Sequence, residues 1–474
     1  MLAKRVWWCI YLICLLAAPS FIYAQGIPEL DPESTVQVGK IYITGNNKTR
    51  TEIILREVDF KEGEKLKLKD FAQKVLLDQQ KLTNTRLFVF VEIVPLFMSD
   101  TEVDVLIRLQ ERWYIFPLPV FKLADRNFTE WWVNQNRDFG RVNYGAQLIH
   151  TNLTGRNDKL RVRAQFGFAK QYSLSYSIPY INNAQTIGLG FSTNFTTNKT
   201  VGVQSRGHRL EFVESDNVIR RSFGISGTIT YRPSFYTRHS VSLGYGRSSV
   251  DDLILNLNAN YHTDSQNIQK YLRLSYVFGV DKRDYIAYPL TGSNFSFQAT
   301  KFGLGIANNL DLFTARISYA KYFDLKKGFY LATRTEAFKN FSSDIPYLIR
   351  SGFGYRPDFI RGYERFVVES NALISHRSAL RLKVLDGVQE LSRRSLINQF
   401  RTLPYAFYIK VFIDTGYTGN PLPNTENNFF NNQFLGSIGL GVDLVTYYDF
   451  VFRLEYSVNK QGNTGLFFNF KAAI

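Results

Sequence analysis

From about residue 113 to the C-terminus, apolar and polar positions alternate with a period of two, in short segments separated by turn-forming residues. In residues 159–168 (KLRVRAQFGF), Leu160, Val162, Ala164, Phe166 and Phe168 share one face, and Arg161, Arg163 and Gln165 share the other. Tyr172, Leu174, Tyr176 and Ile178 likewise oppose Ser173, Ser175 and Ser177. Phe450, Phe452, Leu454, Tyr456 and Val458 oppose Arg453, Glu455 and Ser457. A soluble β-sandwich also alternates, but it buries the apolar face and wets the polar one. Here one face is repeatedly aromatic while arginines recur on the other, the pattern of strands with lipid outside and a wet lumen inside. At about 40–45 residues per hairpin, residues 119–474 predict about 16 strands.

The segment before this region has a different texture. Residues 36–113 are dense in charge and mix the two periodicities. Residues 39–44 (GKIYIT) read as a strand closed by a Gly45-Asn46-Asn47 turn. Residues 50–57 form a short amphipathic helix with Ile53, Ile54 and Val58 on one side, and residues 66–82 a longer one carrying Phe71, Val75, Leu76 and Leu82. Residues 88–94 and 103–109 alternate as two strands about a Ser99-Asp100 turn. The predicted order is β-α-α-β-β. Pro117 and Pro119 mark a linker beyond it.

At the N-terminus, Lys4 and Arg5 precede an apolar run from Val6 to Ala18, and a small residue, Ala24, stands before Gln25. That run is shorter than the roughly 20 residues a helix needs to span a bilayer, so it reads as a secretory signal peptide. The only two cysteines, Cys9 and Cys14, would leave with it, and with them any disulfide or thiol chemistry. The expected organisation is a signal peptide at 1–24, an N-terminal segment at 25–35, an α+β module at 36–113, a linker and barrel entry at 114–140 and a barrel at 141–474.

Composition agrees. Phe 40, Tyr 28 and Trp 5 make 15% of the chain aromatic, yet only 45% is hydrophobic and mean hydropathy is −0.17, which excludes both disorder and a helical membrane protein. Net charge is +16, with the basic residues dispersed along strands. They are read as lumen-facing and as partners of anionic outer-membrane lipids, and nucleic acid is not an expected partner. GxSxG, HExxH and Walker patterns are lacking, so neither an enzyme activity nor a cofactor is expected. His150, His208, His239, His262 and His376 are too scattered for metal-ligand spacing. Gly436, Gly439 and Gly441 lie in an alternating strand with no following helix, and are read as small wall residues rather than a nucleotide loop.

Four motifs rise above this background. Pro357-Asp358-Phe359-Ile360-Arg361-Gly362-Tyr363 lies in a long loop, and Phe412-Ile413-Asp414-Thr415-Gly416 in a strand whose parity places Lys410 and Asp414 toward the lumen. Asp281-Lys282-Arg283-Asp284 is followed by Pro289 and Gly292, and Thr464-Gly465-Leu466-Phe467-Phe468-Asn469-Phe470 closes the chain. The first resembles the [VI]RG[FY] loop of the BamA/TamA superfamily of outer-membrane assembly barrels. The second resembles its F-x-D-x-G strand, the third its D-x-R-D…P-x-x-G strand and turn, and the fourth the β-signal of outer-membrane clients. The β-α-α-β-β module is similar to a POTRA domain.

The resemblance implies a transmembrane antiparallel β-barrel of about 16 strands preceded by one small α+β POTRA domain, in the outer membrane of a Gram-negative bacterium with the POTRA domain in the periplasm. It implies a loop latch of Ile360, Arg361, Gly362 and Tyr363 with Asp414 and Gly416. It also implies a strand–turn element of Asp281, Arg283, Asp284, Pro289 and Gly292. A seam is implied between a first strand near 142–150 and a last one carrying Gly465, Phe468 and Phe470. A strand edge, Phe88-Val89-Phe90-Val91-Glu92-Ile93-Val94, would take up clients by strand addition. The expected function is insertion or translocation of other outer-membrane or surface proteins, with unfolded or nascent clients, periplasmic chaperones or accessory subunits as partners. The alternatives are a structural subunit of a larger complex and a passive pore. One departure stands out: Arg381 occupies the position expected for a second acid, where it would repel Arg361.

Overall fold

A computed structural model describes residues 31–124, 131–132, 136–305, 310–342, 344–350, 352–354, 360–390, 402–419, 429–446 and 450–469. The expected signal peptide, Phe470 and residues 357–359 of the loop motif lie outside them.

The N-terminal module runs β1 (Thr35–Thr44), α1 (Thr51–Leu55), β2 (Lys65–Lys67), α2 (Leu68–Asn84), β3 (Phe88–Ser99) and β4 (Glu102–Glu111). Its sheet order is β2-β1-β4-β3, with β1 parallel to β4 and the other pairs antiparallel. The two helices lie where helical spacing placed them, and α2 turns Phe71 and Leu82 into a core with Val36, Val38, Val103, Val105 and Ile107. Sequence periodicity does not show β2, whose three residues are too few to alternate and read as the start of α2.

The second sheet has sixteen antiparallel strands in meander order. They are β5 (Ile115–Leu123), β6 (Val142–Thr151), β7 (Lys159–Gly167), β8 (Ala169–Ile178), β9 (Ile187–Asn198), then, after the hairpin β10 (Thr200–Arg206) and β11 (Arg209–Glu214), β12 (Arg220–Tyr231) and β13 (Thr237–Val250). Helix α3 (Asp252–Leu257) leads to β14 (Ile268–Asp281), β15 (Gly292–Phe302), β16 (Leu312–Lys326) and β17 (Phe329–Asn340). The small pair β18 (Gly352–Phe353) and β19 (Val368–Glu369) precedes β20 (Ala372–Glu390), β21 (Thr402–Gly419), β22 (Phe434–Thr446), β23 (Val451–Asn459) and β24 (Thr464–Asn469). The sheet forms the wall of a transmembrane β-barrel. Its outward residues are large and apolar, and Ile229, Leu243, Tyr319, Ile413 and Leu440 stay exposed because their solvent is lipid. Among the described residues no helix is long and apolar enough to cross a membrane; the crossing elements are strands.

The two ends of the barrel differ. At one end the β8–β9, β12–β13 and β14–β15 turns touch the N-terminal module, which fixes that end as its side of the membrane. At the other end the β10–β11 hairpin packs against described parts of the connections that lead to β20 and β22. The tip of the β10–β11 hairpin inserts His208, whose ring nitrogens meet the Val367 carbonyl (3.1 Å) and the Phe430 amide (3.1 Å). Burial holds the His208 pKa below the ordinary histidine value, so the neutral ring is the form that fits these contacts.

Candidate functional site

The loop after β17 folds back into the barrel. Ile360 and Tyr363 are fully buried, and Ile360 packs on Gly416, where a Cβ would meet its Cδ1 at 2.2 Å. Between them the Arg361 guanidinium forms a fork on Asp414, with Nε to Oδ2 at 2.8 Å and Nη2 to Oδ1 at 2.6 Å; its backbone N–H also donates to Oδ2 (3.1 Å). Nη1 donates to Glu455 (3.0 Å), and the guanidinium plane lies 3.7 Å from the centre of the Phe412 ring. All these groups are buried, so the pairing is little screened. Gly362 adopts φ +86°, a left-handed turn that lets the loop reverse beside the wall. The Tyr363 hydroxyl donates to Gln461 (2.6 Å). Gly439 makes the stacking possible, since a Cβ there would meet the Phe412 ring at 2.4 Å.

A continuous chain of buried contacts leads from this latch to the opposite end. Glu455 accepts from Lys410 (2.8 Å), and Lys410 also donates to Asp443 (2.6 Å). Asp443 accepts from Arg453 (3.1 Å) and from the Tyr288 hydroxyl (2.8 Å). Tyr288 belongs to residues 282–291, the turn between β14 and β15, which tucks into the lumen. Within that strand–turn element Arg283 forks onto Asp281 (2.7 and 2.5 Å), Asp284 accepts from the amides of Tyr285 (2.8 Å) and Leu290 (3.1 Å), and Gly292 closes the turn at φ +96°. Pro289 offers its carbonyl to Arg381 (2.9 Å).

The same turn is where the N-terminal module docks. At the end of α2, the Asn84 side-chain amide donates to the carbonyls of Arg283 (3.2 Å) and Asp284 (2.9 Å) and accepts from the Ile286 amide (3.0 Å). A second clamp lies at the next turns along. Glu57 receives a bidentate pair from Arg232 (2.7 and 2.9 Å) and a bond from the Tyr180 hydroxyl (3.2 Å), while Arg56 stacks 3.9 Å over the Tyr180 ring. Burial raises the Tyr180 hydroxyl pKa, which keeps its proton available to Glu57.

The sheet does not close through its ends: among the described residues no pairing joins β5 to β24. The free edge of β5 has an unusual composition. Thr151 N–H donates to the Tyr114 carbonyl (2.9 Å) and Ala124 N–H to that of Arg141 (2.7 Å), so even-numbered residues of β5 exchange hydrogen bonds with β6. Odd-numbered backbone groups therefore point to the free edge, and two of them, Pro117 and Pro119, have no N–H to offer. On the facing strand Phe468 is exposed to lipid, and the Phe467 ring covers Gly465 on the lumen side.

Three readings of the sequence change. The first barrel strand is β5, and Val142–Thr151 is the second; the two prolines that suggested a linker sit in an edge strand, the one place a sheet tolerates them. Arg381 does not face Arg361: register places it opposite Lys410, while Arg377 is the residue opposite Asp414. Arg381 instead lies 4.4 Å over the Tyr288 ring. The second acid on Arg361 is Glu455, which strand parity had put on the lumen face without naming its partner. The strand β3, which carries Phe88 to Val94, is an edge of the module's sheet, and Phe90 on it is half exposed.

The Omp85 superfamily domain matches residues 152–472, and the POTRA family described as a surface antigen variable number repeat matches residues 36–112. The outer membrane protein assembly factor BamA of Buchnera aphidicola is 22% identical over 308 residues, which is 62% of this chain and 44% of that protein. The chain thus spans less than half the length of this curated relative. Among solved structures, CdiB from Escherichia coli aligns at a TM-score of 0.52 and 11% identity, over 91% of this chain and 75% of that one. BamA from Haemophilus ducreyi lacking POTRA domains 1–3 aligns at 0.49 and 16% identity, over 91% and 83%.

Proposed function

The chain belongs to the Omp85 superfamily as a BamA/TamA-like member, an outer-membrane barrel with its POTRA module in the periplasm, and from that premise we propose that it inserts or translocates other outer-membrane or surface proteins through the seam between β5 and β24. The observation that carries this reading is the unpaired edge of β5. Open backbone groups are costly in lipid, and an edge that lacks donors at Pro117 and Pro119 pairs poorly with its own last strand. An incoming client strand is the natural occupant. The POTRA edge β3 supports the same reading, because an extended segment is taken up there by main-chain bonds that tolerate any sequence. Phe88 and Val89 also border a cavity of about 400 Å3 that reaches Gly387, Tyr405 and Val445 at the barrel rim, a short route from edge to wall.

A structural subunit of a larger complex is the second reading, favoured by the buried clamp of Glu57 on Arg232, which holds the module against the barrel. Depletion followed by outer-membrane proteomics separates the two. Insertion or translocation predicts selective loss of client proteins within a few generations. Altered permeability with an unchanged outer-membrane proteome would contradict it.

A further inference from the structure

The outward face of the wall opposite the seam carries a row of cations with no acid among them. On β8, β9, β12, β13 and β14 the lipid-facing positions bear no Asp or Glu. At the ends of these strands far from the POTRA module, Lys170 of β8 and Arg221 of β12 flank Thr197 of β9 in one continuous rung. One rung below, Arg247 of β13 lies directly opposite Lys270 of β14 and next to Phe223 of β12. All four cations are exposed, and among the described residues none makes an ion pair. In the connection after β13, Asp251 accepts from the Leu253 amide (3.0 Å) and Asp252 from Asn267 (2.6 Å).

Like charges directly opposite on neighbouring strands repel, so Arg247 and Lys270 carry a cost that an anion between them removes. Below Lys170 and Arg221, and in the same rung as Arg247 and Lys270, lie Phe223, Phe195 and Tyr172, all exposed, which gives an apolar floor at acyl-chain depth. With adjacent strands about 4.8 Å apart, the row from β8 to β14 is roughly 20 Å wide. Cations above aromatics, facing lipid at the outer end of the barrel, are arranged for a lipid head group and not for a soluble ligand.

We propose that Arg221, Arg247 and Lys270, flanked by Lys170, form a binding site for the phosphates of the phosphorylated glycolipid of the outer leaflet. A head group with two phosphates on a disaccharide spans several strands, as this row does, whereas a single phosphodiester engages one rung. Arginine supplies planar donor pairs to phosphate oxygens and lysine a point charge. Arg221, Arg247 and Lys270 lie on strands six to eight of sixteen counted from β5, across the barrel from β5 and β24, and Lys170 lies on strand four. Bound glycolipid therefore anchors the wall opposite the seam and leaves the seam strands free to move. The inference rests on outer-membrane residence and not on the insertion reading, so the two fail separately.

Native mass spectrometry of the full-length protein in detergent tests the site, with bisphosphorylated lipid A, fully dephosphorylated lipid A and phosphatidylglycerol as probes. The wild type should retain bisphosphorylated lipid A selectively, and the triple variant Arg221→Ser, Arg247→Ser, Lys270→Ser should lose roughly 100-fold in apparent affinity. Its heat-modifiable migration should stay that of a folded barrel, because the three side chains project out of the wall. A second variant, Lys122→Ser with Lys460→Ser, removes two cations near the seam and should retain lipid A as the wild type does. Equal retention by the wild type and the triple variant, or equal binding of dephosphorylated lipid A or phosphatidylglycerol by the wild type, would overturn the proposal.

Discussion

The two halves of the barrel lumen are built on opposite principles. From β8 to β15 the lumen wall is mostly hydroxyls and glycines, with Arg220, Arg238 and Arg273 set among them, and its strands are joined by light contacts such as Ser192 to Ser226 (2.8 Å), Thr228 to Ser242 (2.8 Å) and Ser275 to Thr300 (3.0 Å). A cavity of about 860 Å3 opens along it at the periplasmic end. From β20 to β23 the wall is charged, and Arg361, Asp414, Glu455, Lys410, Asp443 and Arg453 fill the lumen side with buried ion pairs. Charge is concentrated where a loop must be held against the wall, and small hydroxyls where the lumen stays open. The held half ends at β23, immediately behind β24. The lattice thus stiffens the strands behind β24, whose other edge is unpaired among the described residues.

The strongest way to break this contrast is to remove one member of the lattice. Asp414→Ala leaves the Arg361 guanidinium buried without its fork, and should cost about 3–5 kcal/mol of barrel stability. Arg361→Lys should recover little of what Arg361→Ala loses, since an ammonium cannot span both carboxylate oxygens. The Asp414→Ala, Arg361→Ala double variant should be little worse than either single one, because the two residues act as a unit. Denaturant midpoints with heat-modifiable migration as the readout measure all three.

A smaller effect is expected at the periplasmic clamp. Glu57→Gln removes the charge that Arg232 and Tyr180 share, a loss of about 1.5–3 kcal/mol confined to docking of the module. Hydrogen exchange of residues 48–58 should rise while the barrel midpoint stays in place. A drop in the barrel midpoint would mean that the module and the wall form one cooperative unit.

The hydroxyl half should barely respond. Ser192→Ala with Ser226→Ala removes a partly exposed pair beside an open lumen and should stay within about 0.5 kcal/mol of the wild type. A loss comparable to that of Asp414→Ala would erase the distinction between the halves.

Much of this contrast is visible in the chain. Alternation separates lumen from lipid faces strand by strand, and it placed Lys410, Asp414 and Glu455 inside before any pairing was known. What alternation does not carry is register between distant strands. Glu455 lies 94 residues from Arg361 and Arg232 lies 175 from Glu57, so neither partnership leaves a local trace. The displacement of Arg381 from the latch is the same effect, because the residue opposite Asp414 depends on how β20 and β21 are set against each other. The strand β5 was hidden for another reason: its prolines break the strand signal, and only an edge position makes them compatible with a sheet.

Insertion or translocation as proposed requires the β5–β24 seam to open. Cysteine pairs placed between Ile115–Leu123 and Thr464–Asn469 test it in a chain whose native cysteines, Cys9 and Cys14, both lie in the expected signal peptide. Client assembly is measured in cells with the pair oxidised and then reduced. The locked barrel should remain folded and heat-modifiable yet fail to support assembly, and reduction should restore it. Full activity with the seam covalently closed would contradict the account.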